Sequence, residues 1–237
     1  MLLESYVLLF IIFAVLYIYL KQSEQKNDEE IAKEHSFMKN KDTLSFLKAI
    51  PVFLALIFSF LLQNNRTEIY PGIFFALLFC LLGDFFIDRN LIQGMLFFSM
   101  AHIFLIISFI YALIIHFSNL LTEDFLALLL LTGLIFIYNY AFIRYLIALK
   151  IPENYNAPVV IYSLLLSTMF SSAVWLAYIL RVGELIILPL GALLFLVSDS
   201  LIAIREFGSK NLTYSTQKIM GLYYSAILLI SLSILYV

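Results

Sequence analysis

Charge is scarce in this sequence. Lys, Arg, Asp and Glu together make up 13% of the 237 residues, whereas 63% are hydrophobic and the mean hydropathy is +1.01. Polar groups in that proportion cannot cover a water-soluble globule, so the composition is that of an integral membrane protein. The net charge of -2 is too small to point to a nucleic-acid partner. A single cysteine, Cys80, rules out an intrachain disulfide framework. Histidine is rare as well, with three residues, so a zinc centre built from several imidazoles lacks donors. There is no GxSxG elbow, HExxH pair, phosphate-binding GxxxxGK or dinucleotide glycine fingerprint. Period-two alternation is missing too, which excludes a transmembrane barrel.

Long apolar runs are what the chain does contain. A hydrocarbon core of roughly 30 Å takes about 20 apolar residues in a helix, and the sequence divides into eight such pieces. They run from Leu2 to Leu20, Phe46 to Leu62, Tyr70 to Ile87, Gly94 to Ile115, Phe125 to Ile147, Pro158 to Leu180, Glu184 to Ile204 and Ile219 to Val237. The first, MLLESYVLLFIIFAVLYIYLKQ, has neither the basic start nor the cleavage site of a signal peptide and reads as a span. The expected fold is an all-α integral membrane protein, a bundle of eight transmembrane helices in a single domain over 1–237. One long charged connection, residues 21–45, reads as solvated coil or a short surface helix.

Twelve Lys and Arg fall in or beside loops one, three, five and seven. Only Arg66 and Arg181 belong to loops two, four and six. Cytoplasmic loops hold the excess of basic residues, so the odd loops are expected in the cytoplasm of a cell (inner) membrane, with both termini on the opposite side.

Polar residues inside the spans gather near that same face. At 1.5 Å per residue, Asp84 and Tyr162 lie about 6 Å inside their spans, Asp199 and Tyr224 about 9 Å, and His102 about 12 Å; Lys48 opens the second span. A carboxylate among hydrocarbon is costly and faces a partner, the bundle interior or water. Asp84 and Asp199 are therefore expected to line a cavity open to the cytoplasm, the bland alternative being a structural ion pair with Lys48. For His102 the alternative is a hydrogen bond between helices, and for Tyr162 and Tyr224 an anchoring role at the membrane surface. His35 and His116 read as solvated. Gly83, Gly94, Gly191 and Gly221 read as sites of close helix packing. Asp84, His102 and Asp199 have the donor types of a two-carboxylate, one-imidazole metal site, but their spacing does not demand one, and no cofactor is expected.

GDFF at Asp84, AHIF at His102, GALLFLVSDSLIAI around Asp199 and YYSA at Tyr224 together resemble the YhhN-like family, which includes the transmembrane lysoplasmalogenases. The resemblance extends from LKAIP, with Lys48, to APVVIY, with Tyr162. One departure is Ile227, which stands where the family's YxxAQ pattern has Gln. The resemblance implies hydrolysis of the vinyl ether bond of a lysophospholipid substrate, giving a fatty aldehyde and a glycerophospho head group. Such a reaction needs one carboxyl as acid and one carboxylate as base, and Asp84 and Asp199 are the candidate pair, with His102 orienting one of them. Candidate substrate-binding residues are Lys48, Tyr162, Ser198, Tyr224, Arg89 and Arg205. Other classes stay in view: a small proton-coupled transporter or lipid-binding permease, since intramembrane acids also mark proton relays, and a structural scaffold. Transport favours Gly or Pro breaks near the midplane, and Pro51, Pro158 and Pro189 read as lying toward span ends.

Orientation is testable without reference to activity. In a Cys80→Ala background, single cysteines placed in Ser23 to Thr43 or Glu206 to Gln217 are expected to resist a membrane-impermeant thiol reagent in intact cells and to react after lysis. Labelling of intact cells at either segment would reverse the orientation.

Overall fold

The computed structural model describes residues 2–31, 41–62, 68–117, 122–149, 151–208 and 215–236. Eight helices follow one another: α1 (Leu2–Ile31), α2 (Lys41–Leu61), α3 (Tyr70–Ile87), α4 (Leu91–His116), α5 (Thr122–Ala148), α6 (Glu153–Leu180), α7 (Ile187–Phe207) and α8 (Ser215–Leu232). All eight are long and apolar enough to cross a membrane, and the described residues contain no strand. Large apolar side chains such as Leu8, Leu130, Leu134 and Ile114 are exposed on the outside, as expected where the surrounding solvent is hydrocarbon.

Several helices outrun their apolar spans. α1 continues through Ile31 and α2 begins at Lys41, so both described ends of the charged connection are continuations of spanning helices. This differs from the separate surface helix or coil expected of residues 21–45. Helical hydrogen bonding does not stop where hydropathy falls; it stops where the chain is capped or broken. Lys33, His35, Lys39, Arg66, Lys150 and Lys210 lie outside the described residues.

Pro51 is a correction. With α2 starting at Lys41, this proline sits near the middle of the helix and not at its end. It lacks the N–H that would bond the carbonyl of Leu47 and so opens the local ladder. The neighbouring carbonyl of Lys48 accepts a hydrogen bond from the Tyr224 hydroxyl at 2.9 Å, which fastens α2 to α8 beside the break.

α3 packs antiparallel to α4, α7 to α8 and α6 to α7, α6 also runs parallel to α4, and α1 and α2 close the other side against α8. The turn between α3 and α4 is fixed by Asn90, whose side chain accepts from the backbone N–H of Gln93 at 3.1 Å and caps α4. Tyr6 of α1 shares a 2.7 Å hydrogen bond with Ser231 of α8 and stacks on Phe58 of α2 at 4.0 Å. α5 leans on α6 through Trp175 Nε1, which donates to Thr132 Oγ1 at 2.8 Å. At the far end of that pair, Tyr178 and Arg181 both donate to Asp124, at 2.5 and 3.0 Å.

Small residues decide how closely α3 and α4 approach. A Cβ on Gly72 would lie 2.2 Å from the Cβ of Ser108, one on Gly83 2.8 Å from the Phe98 ring, and one on Gly94 2.6 Å from the backbone Cα of Ile87. Gly191 is less tight, its nearest contact lying 3.0 Å away on Ile230. Gly221 departs from the packing role expected of it, because nothing lies within 4 Å of its Cβ position. Gly72→Val is therefore expected to cost about 1–3 kcal/mol and to lower the midpoint of thermal unfolding in detergent, with Gly221→Ala unchanged within about 0.5 kcal/mol. Equal midpoints for the two variants would show that the α3–α4 seam can yield.

Candidate functional site

Two groups of polar side chains inside the bundle are each built around an acid. Asp84, on α3, is 1% exposed. Its Oδ2 accepts a 2.9 Å hydrogen bond from the Tyr223 hydroxyl of α8, and its Oδ1 lies 3.8 Å from Nζ of Lys48 on α2. The same ammonium donates to Oδ2 of Asp88 at 3.3 Å, so Lys48 bridges a buried carboxylate and one at the helix end. Three helices thus meet on Asp84.

Asp199, on α7, anchors the second group. Its Oδ2 accepts a hydrogen bond from the Tyr162 hydroxyl of α6. Nε2 of His102, on α4, lies 3.3 Å from that hydroxyl and 4.0 Å from Asp199 Oδ2. His102 is fully buried, edge-on to Phe195 at 4.8 Å, and its Nδ1 has no hydrogen-bond partner among the described residues. Among the described residues no group of three His, Cys, Asp or Glu side chains is gathered closely enough to hold a metal ion.

One cavity joins the two groups. It has a volume of about 310 Å³, and Asp84, Asp88 and Asp199 share its wall with Lys21, Lys48 and Arg205. Between the carboxylates run aromatic contacts: Tyr223 packs edge-on to Phe98 at 6.0 Å and to Phe195 at 5.5 Å, and Phe195 in turn meets His102. The expected layer is thus assembled at the end of the bundle that carries the α3–α4 and α7–α8 connections. Because α4, α6 and α7 extend beyond the bounds read from hydropathy, His102, Tyr162 and Asp199 stand about 12–16 Å from their helix ends.

Other candidates are placed elsewhere. Ser198 Oγ donates to the carbonyl of Ile219 at 3.1 Å, tying α7 to α8, and Tyr224 serves the Lys48 carbonyl; neither lines the cavity. The guanidinium of Arg89 lies over the Phe85 ring at 5.3 Å. Arg205 reaches the cavity while pairing with Glu206 at 2.8 Å. His116 is paired with Glu68 at 3.7 Å at the opposite end.

Residues 44–234 match the profile of the YhhN family. The chain belongs to that family. Nothing among curated proteins or solved structures matches it. Within the YhhN chain, Ile227, at the position of the motif's Gln, is 1% exposed in the apolar core and off the cavity wall.

Two residues escaped the sequence reading. Tyr223, not Tyr224, bonds Asp84; the signal was the spacing of Thr216, Ile219, Met220 and Tyr223, which line the cavity as one helical face. Asn139, buried in α5, donates to the Ser163 carbonyl at 2.5 Å and to Ser167 Oγ, with its own Oδ1 unpaired. An amide in the middle of an apolar span was the available sign.

Removing one donor from a buried carboxylate costs more than removing a neutral bond. Tyr223→Phe is expected to destabilise by about 1.5–3 kcal/mol and Tyr224→Phe by about 1 kcal/mol, in detergent unfolding. In an Asp84→Asn background the Tyr223 penalty should shrink by about 1 kcal/mol while the Tyr224 penalty persists. Strict additivity of Tyr223 and Asp84 would break the assignment of their bond.

Proposed function

We propose that this YhhN-family protein is a membrane-embedded lipid hydrolase that splits the vinyl ether bond of lysoplasmalogens into a fatty aldehyde and a glycerophospho head group. The observation that carries the reading is the presence of two buried carboxylates in one cavity wall, each holding a tyrosine hydroxyl. Family membership supports it.

The chemistry follows from the bond. Protonating the outer alkene carbon of the vinyl ether gives an oxocarbenium ion, which water captures as a hemiacetal. Asp199, hydrogen-bonded to Tyr162 and without a Lys or Arg partner among the described residues, supplies that proton. Asp84, ion-paired with Lys48, stays ionised, stabilises the cation and takes a proton from the attacking water. The hemiacetal then collapses: Asp84 returns its proton to the departing glycerol oxygen, and Asp199 recovers one from the hemiacetal hydroxyl. One water is consumed, and both carboxyl groups end as they began. Lys21, Lys48 and Arg205 supply cationic groups in the cavity wall for a phosphate head group. The basic residues of the odd loops favour a cytoplasmic position for this end of the bundle.

Transport draws some support from the mid-span position of Pro51. Against it, Asp84, Lys48, Asp199 and His102 gather toward one end of the bundle, whereas a relay across the membrane needs groups in both halves.

Purified protein in detergent should release aldehyde from a lysoplasmalogen. Asp84→Asn and Asp199→Asn should each lower turnover by about a thousandfold or more, and the double variant should be little worse than either, because two groups acting on one transition state are not additive. Turnover should survive exhaustive chelation. Near-normal rates in either single variant would remove that residue from the chemistry, and loss of rate on chelation with recovery on adding metal would replace the carboxylate mechanism.

A further inference from the structure

A second cavity borders the first. It is a narrow crevice of about 60 Å³ between α4, α5, α6 and α7, walled by residues such as Met95, Phe142, Leu146 and Leu166. Its polar wall residues spend their donors on the protein. Ser163 Oγ donates to the Val159 carbonyl at 2.8 Å, Ser200 Oγ to the Leu196 carbonyl at 2.8 Å, and Asn139 to Ser163 and Ser167. The crevice therefore presents an almost wholly apolar lining, and the exposed ring of Tyr138 puts one of its edges on the outer surface of α5.

The two cavities share four residues: Ile87, Phe98, Asp199 and Ile202. Three are apolar and make up the common border, the neck of the proposal below; the fourth is one of the two carboxylates. On one side of the neck stand Lys21, Lys48, Asp84 and Arg205. On the other, the crevice runs along α6 from Val159 to Ser167, about 12 Å at the helical rise. One leaflet of hydrocarbon is roughly 15 Å deep, so the crevice accompanies a lipid chain over most of its own leaflet.

We propose that this crevice holds the hydrocarbon chain of a single-chain lipid whose head group occupies the polar cavity, with the bond joining head and chain threaded through the neck beside Asp199. The inference rests on the polar cavity being the head-group site of the hydrolase. At about 60 Å³ the crevice takes part of one linear chain, whose remainder lies at the lipid-facing edge beside Tyr138. Aldehyde formed at the neck stays attached to the chain, so it departs through the crevice toward the membrane, while the head group leaves through the charged cavity.

Wild-type protein in detergent provides the test, with an alkyl-ether lysophospholipid that carries a photoreactive group on its chain and has no vinyl ether to cleave. Crosslinks are expected on the crevice wall, at Met95, Phe142, Leu146 or Leu166, and excess unlabelled long-chain alkyl lysolipid should suppress them. Ala203→Phe and Met95→Trp, occluding the crevice from two different helices, should each weaken binding of the long-chain alkyl lysolipid by about tenfold or more. Binding of the glycerophospho head group alone should not change. Crosslinks confined to outward faces, or not displaced by competitor, would overturn the proposal, as would undiminished long-chain binding in both variants. Displaceable crosslinks in the crevice together with no aldehyde from lysoplasmalogen would leave the chain site standing and sink the hydrolase reading instead.

Discussion

An ionised carboxylate in hydrocarbon must find a partner or lose its charge, and this constraint organises the bundle. The cost is several kcal/mol for each unpaired group. Asp84 meets it with Lys48 from α2 and Tyr223 from α8. Asp199 meets it with Tyr162 from α6 and the nearby His102 from α4. Between them the two acids on α3 and α7 recruit the other four of the six inner helices, each at a fixed rotation about its own axis. Helices that are apolar all round have little else to set that rotation, since lipid is as good a neighbour for leucine as another leucine is. The polar groups supply the register, and the glycines at the α3–α4 seam let the backbones approach closely enough to use it.

The same logic explains what could be read from the sequence. Hydropathy located all eight spans, because a run of apolar residues long enough to cross a bilayer has few alternatives. Asp84, Asp199, His102 and Lys48 were legible because their burial is expensive, and an expensive residue announces a partner. Tyr223 was not, because tyrosine is cheap at a membrane surface and abundant here. Adjacent residues on a helix point about 100° apart, and choosing between Tyr223 and Tyr224 required knowing which face of α8 meets α3. Helix ends were misjudged for a related reason: hydropathy reports where hydrocarbon ends, whereas α1 and α2 carry their hydrogen bonding into charged sequence. That error hid the central position of Pro51.

The family profile and the cavity geometry carry different parts of the argument. The profile covers residues 44–234 and places the chain among related membrane proteins without assigning work to any side chain. Geometry assigns that work, and it separates residues that the motifs put side by side. Ser198 and Asp199 are neighbours in one motif, yet one hydroxyl ties α7 to α8 while the adjoining carboxylate lines both cavities. Ile227 shows the converse, a residue of the YYSAI motif whose side chain is packed in the core and does not line the cavity.

A hydrolase of membrane lipids has to bring together two substrates that avoid each other, water and a hydrocarbon chain. The arrangement around Asp199 resolves the conflict by position. Asp199 lines a charged cavity on one side and an apolar crevice on the other, and Ile87, Phe98 and Ile202 line both with it. Water reaching the carboxylates through the charged cavity meets an apolar neck, which disfavours its passage further inward. A chain in the crevice meets the charged side chains Lys48, Asp84 and Arg205 on the far side of the neck. In the hydrolase we propose, the reacting bond lies beside Asp199, where both environments are within reach of a carboxyl group.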